Sequence, residues 1–100
     1  MALTKKNVSN AAGFRGTPTS DTDFEQLDFG FVANNIKVIV CAGSTAGLAL
    51  SWDGKDTFIE LPAPETSQNP MVYDLAWANL SRIFVRNTGA QVEILACGAK

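Results

Sequence analysis

The chain contains no histidine, and this restricts its chemistry at once. The commonest general base is missing, so neither a Ser-His-Asp arrangement nor a Cys-His pair can be built. Cys41 and Cys97 are the only cysteines. Cys41 sits in an apolar run and Cys97 near the end of another. Lys37 is the one cation positioned by alternation to lower a thiol pKa, and it shares a face with Cys41. Both residues therefore read as free thiols that behave as small hydrophobes. They form no CxxC pair, and a zinc site would need carboxylates to complete it, a rare donor set. A disulfide between them stays open at this point, because spacing does not decide pairing.

Carboxylates gather twice, at Asp21, Asp23, Glu25 and Asp28 and again at Asp53 and Asp56. Either group offers oxygen ligands to calcium or a pair for acid–base work. Neither has the fixed offsets of an EF-hand loop. The first reads as a solvated charged segment and the second as a turn. The run Gly43-Ser44-Thr45-Ala46-Gly47 lacks the lysine and the following helix of a phosphate loop. No catalytic residue, cofactor or metal ligand follows from these patterns, and the chain is not expected to be an enzyme.

Three constellations point to binding instead. Trp52, Tyr73 and Trp77 are candidates for a platform on which sugar rings stack, although alternation turns all three toward the core. Arg82 and Arg86 flank Phe84 on one strand face, a mixture enriched in protein interfaces and equally compatible with a solvated surface. Phe14 and Arg15, between Gly13 and Gly16, are the one anchor-like pair in an otherwise small and polar N-terminal stretch. The candidate interface residues are thus Phe14, Arg15, Arg82, Phe84 and Arg86.

The elements that must carry these residues are strands. Residues 36–42 are dense in β-branched side chains and bounded by Asn34-Asn35 and Gly43, as in a central strand. Residues 48–53 alternate, with Leu48, Leu50 and Trp52 inward. Asp53-Gly54 is a hairpin signal, and residues 57–61 form the return strand, ended by Pro62 and Pro64. Residues 71–77 alternate again, although 76–80 also fits a helical turn. Residues 82–86 and 91–97 form the last two strands, joined by a second hairpin at Asn87-Thr88-Gly89-Ala90. Residues 24–31 fit either a short strand or a helical turn. Six to seven short strands at this spacing predict an all-β fold, a small β-sandwich or barrel-like domain, with an extended N-terminal arm.

The predicted organisation is an extended polar arm over 1–23 and a β-sandwich domain over 24–100. The arm carries too little apolar surface to fold by itself, so its removal is expected to leave the domain folded. One hundred residues support one domain that buries ~65% of its unfolded surface. The net charge of −2 gives no basic excess for a nucleic-acid backbone. Lys5 and Lys6 are not followed by an apolar run, so neither a signal peptide nor a membrane span is expected.

The segment Ser51-Trp52-Asp53-Gly54, followed by Phe58-Ile59-Glu60-Leu61-Pro62, resembles a pattern in small β-sandwich structural proteins of tailed-bacteriophage virions. The strand Arg82-Ile83-Phe84-Val85-Arg86 and the turn Asn87-Thr88-Gly89-Ala90 are similar too. The likeness covers roughly residues 34 to 97. It implies a virion structural protein, foremost a capsid decoration or cement protein, assembled in the host cytoplasm. Its implied partners are the major capsid protein or other virion proteins and further copies of itself, with a trimer favoured. A neck or tail component is the alternative within that class. A carbohydrate-binding β module is the alternative outside it.

Overall fold

The computed structural model describes residues 3–8, 11–18, 22–64, 69–89 and 92–100, and the side chains of all these except 8 and 76–78. Among the described residues, seven strands run β1 (Thr4–Val8), β2 (Ala11–Gly16), β3 (Glu25–Val40), β4 (Leu48–Ser51), β5 (Thr57–Leu61), β6 (Met71–Asn87) and β7 (Ile94–Ala99). They form one sheet in the order β1-β2-β7-β3-β6-β4-β5, with every neighbouring pair antiparallel. The chain is all-β, with the small sandwich- or barrel-like build that its strand pattern implies.

Two long strands shape the molecule. The first part of β3, Glu25 to Asp28, pairs with Val85 to Arg82 of β6, which also carries β4 on its other side. The second part, Asn35 to Val40, pairs with Ala76 to Met71 of β6 and, on its other side, with β7. Between the two parts the register shifts twice, at Asp28/Ala33 and Ala33/Asn35. Gly30 at φ 83° and Asn79 at φ 50° lie in this region. Such irregularities bend a strand and raise its twist, so the sheet folds over onto one shared core. Leu27, Leu48, Leu50, Ile83 and Val85 come from one half; Phe14, Ile36, Val38, Val40 and Ile94 come from the other. Burying each such side chain contributes roughly 1.5–3 kcal/mol.

Several expectations change. Of residues 24–31, all but Phe24 are strand, and the helical turn considered over 76–80 is strand backbone within one continuous β6. Asn87-Thr88-Gly89-Ala90 does not close a hairpin, because β6 and β7 are not neighbours. Instead Asn87 pairs with Leu48, Thr88 exchanges hydrogen bonds with Gly47, and the chain crosses to the far side of β3. Within the segment expected as an arm, Thr4–Val8 and Ala11–Gly16 are extended but joined to the sheet, β2 lying against β7. The reason is alternation: Ala12, Phe14 and Gly16 are buried while Arg15 is exposed, so even a short, polar stretch presents one apolar edge. Asn87 adds a tie, its buried Nδ2 donating to the Pro18 carbonyl at 2.9 Å.

Candidate interaction surfaces

The Arg82, Phe84 and Arg86 side chains emerge together from the outer face of β6, because Ile83 and Val85 between them are buried. Arg82 Cζ lies 5.9 Å from the centre of the Phe84 ring. Arg86 Cζ lies 5.2 Å from that of Phe24, which sequence reasoning had not connected with it. Both are cation–aromatic contacts. Gln26 and Asp28 of β3 stand opposite Phe84 and Arg82 in the ladder. The result is a mixed basic and aromatic stripe, with Arg82 exposed and Phe84 and Arg86 half-buried.

The turn after β4 leans on this stripe. Gly54 has φ 80°, and a Cβ there would lie 3.1 Å from the Phe84 ring. Both the backbone angle and the close approach require glycine. Ser51 is fully buried and organises the turn. Its Oγ accepts from the Gly54 amide at 3.0 Å and donates to Asp53 Oδ1 at 2.9 Å. The same Asp53 oxygen accepts from the amides of Lys55 at 2.8 Å and Asp56 at 2.9 Å. The Asp56 and Lys55 amides, then the Ser51 hydroxyl, hold the Asp53 carboxyl down to about 2. Asp53 is therefore a turn-building residue, a local Asx arrangement.

Trp52 is not core, against the alternation reading. The four residues of β4 are all buried, and Trp52 leaves the strand just beyond them, 39% exposed. It stacks on Phe58 with ring centres 3.8 Å apart and planes at 21°. Phe58, 37% exposed, makes an edge contact with Tyr73 at 6.2 Å. The register slips between Leu50/Ile59 and Ser51/Thr57, so Phe58 is the extra residue of a bulge. A bulge re-aims its side chain, which places the Phe58 ring over Trp52. The inner side of Trp52 joins Ile36, Val38 and Leu50 around a small apolar void of about 10 Å³. The side chain of Trp77 lies outside the described residues.

The remaining candidates are dispersed. Phe14 is 7% exposed and meets Phe29 edge-on at 6.0 Å, so its ring belongs to this chain's own core. Arg15 points outward from the other half of the sheet, 3.8 Å from Glu93. Hence Arg82, Phe84 and Arg86 share a surface, and Phe14 and Arg15 do not join it. Cys41 and Cys97 are both free, half-buried and exposed respectively. Cys97 pairs with Lys37, four residues along β3 from Cys41 and so roughly 13 Å away, beyond disulfide reach. Burial, then the Glu93 carboxylate, raises the Cys41 thiol pKa, with Arg15 opposing. Asp21 lies outside the described residues. Among those described, no three Cys, Asp or Glu side chains converge as a metal site.

Fold and surface together define an all-β domain with a displayed basic and aromatic stripe. No family model, curated protein or solved structure matches the chain.

Proposed function

We propose that this protein is a structural component of a tailed-phage virion, a capsid decoration or cement protein that stabilises the head lattice through contacts between subunits. The observation that carries the reading is the Arg82-Phe84-Arg86 stripe with Phe24 beneath Arg86. Arginine and aromatic side chains are the groups that dominate binding at protein interfaces. Here they sit on a firm β scaffold, tied to the Asp53-Gly54 turn. The likeness of residues 34–97 to virion β-sandwich proteins supplies the class. In this reading the partners are the major capsid protein or other virion proteins and further copies of the chain, a trimer being the favoured unit. No catalysis is assigned to it. Many weak contacts repeated on a symmetric lattice give avidity without a deep site.

Immunogold labelling of particles purified from the source culture tests this. Regular labelling of heads is the expected result. Labelling confined to necks or tails would move the protein to that part of the virion, and particles that never label would overturn the reading.

One observation favours a second reading, a carbohydrate-binding module: Trp52 is exposed and stacked on Phe58. Aromatic faces of this kind accept sugar rings. Titration of oligosaccharides against intrinsic tryptophan fluorescence, compared between wild type and Trp52→Phe, separates it from the first reading.

A further inference from the structure

We infer that Asp53-Gly54 is a latent backbone-modification site, where conversion of the aspartate to isoaspartate is held off in the folded chain by the Ser51 hydroxyl. Asp53 is the only aspartate or asparagine of the sequence that is followed by glycine. This is the least hindered setting for the conversion, because glycine has no side chain to keep its nitrogen away from the neighbouring carboxyl carbon. The Gly54 nitrogen attacks Cγ of Asp53 and forms a new C–N bond. The amide proton leaves with the hydroxyl of the protonated carboxyl as water, and a five-membered succinimide remains. Water then opens the ring at the α-carbonyl carbon, which leaves Gly54 joined through Cγ and the α-carboxylate free. The main chain is longer by one methylene, and no oxidant or reductant takes part.

The turn opposes both halves of the first step. The attacking nitrogen is occupied, since the Gly54 amide donates to Ser51 Oγ at 3.0 Å, which holds its proton and fixes its direction. The carbon under attack is also protected. Asp53 Oδ1 accepts from the Ser51 hydroxyl at 2.9 Å and from the Lys55 and Asp56 amides. These bonds favour the carboxylate over the acid, and a carboxylate has no hydroxyl to lose. The two restraints meet in one atom. Ser51 Oγ is the acceptor for Gly54 and for the Asp53 amide at 3.3 Å, and the donor to the Asp53 carboxylate. Ser51 is fully buried, so water does not compete for its hydroxyl. The site also bears on the neighbouring surface. Gly54 lies against the Phe84 ring, which a Cβ there would meet at 3.1 Å. An added methylene lengthens the turn at this close approach and disturbs the Arg82-Phe84-Arg86 stripe. The inference does not depend on the virion reading.

The test is peptide mapping of the full chain after prolonged incubation at neutral pH and body temperature. Wild type is held in buffer and in concentrated urea, and Ser51→Ala and Ser51→Cys in buffer, with circular dichroism to check that each variant folds. Isoaspartate in the Asp53 peptide is read by its shifted elution and by labelling with an isoaspartyl methyltransferase. The unfolded chain should convert fastest. Folded wild type should be slower by about tenfold or more, because it reacts only when the turn opens. Each folded Ser51 variant should lie between the two. Cysteine is a weak donor and acceptor, so Ser51→Cys removes the hydroxyl without emptying its site. Folded wild type that converts as fast as the unfolded chain overturns the inference. So does a folded Ser51 variant that converts no faster than wild type.

Discussion

At the scale of single residues, the structure separates groups that look alike in the sequence. Asp53 and Asp56 both read as turn carboxylates, yet Asp53 alone gathers two backbone amides and the Ser51 hydroxyl on one oxygen. Its pKa is lowered from 3.8 to about 2, so the folded state binds this proton less readily than the unfolded chain. The resulting stabilisation is full above the ordinary value and is lost as the pH falls through about 2. Urea unfolding across that window should show a shallower acid dependence for Asp53→Asn than for wild type, and identical slopes would refute the role. The two thiols should differ as well. Exposed Cys97 should react with a disulfide reagent well before Cys41, which is half-buried and has a raised pKa; equal rates would contradict the placement. Trp52 as a core residue would cost ~3–5 kcal/mol on truncation to alanine. As a partly exposed ring on Phe58 it should cost only about 1–2 kcal/mol, which denaturant unfolding measures.

At the scale of elements, the packing of β7 on β3 depends on a missing side chain. A Cβ at Gly98 would lie 2.8 Å from the Phe29 ring. Gly98→Ala should therefore destabilise by roughly 1–3 kcal/mol. Its coupling with Phe29→Leu should be less than additive, because the smaller side chain removes the clash. The N-terminal strands matter in the same way. Deleting residues 1–20 takes away β2, and with it Ala12, Phe14 and the hydrogen-bonded cover of β7. We expect loss of the cooperative unfolding transition, where composition alone had suggested a dispensable arm. Deleting only residues 1–9 removes the exposed edge strand β1 and should be tolerated. A fold that survives the longer deletion unchanged would show that β2 is not integral.

At the scale of the whole molecule, two outward surfaces lie on different halves of the bent sheet. The Arg82-Phe84-Arg86 stripe belongs to the half built from the start of β3, the end of β6, β4 and β5. A row of Lys6, Gly13, Cys97, Lys37 and Asp74, side by side in the ladder, belongs to the half built from β1, β2, β7, the end of β3 and the start of β6.

The sequence by itself determined the all-β class, the β4–β5 hairpin at Asp53-Gly54 and the outward side of Arg82, Phe84 and Arg86. These are local properties: period-two alternation, β-branched density and a glycine that supplies a positive φ. Other features needed the tertiary structure, because they depend on which strands become neighbours. Residues 87–90 look like a hairpin turn until Asn87 is seen paired with Leu48 across the sheet. Trp52 continues the alternation of β4 but lies past the strand's last paired residue, where the pattern no longer governs direction. Phe14 sits in a polar stretch and is drawn into the core only because β7 offers β2 an edge. Lys6, Cys97 and Asp74 come from three distant parts of the chain, and only the register of five strands sets them in one row.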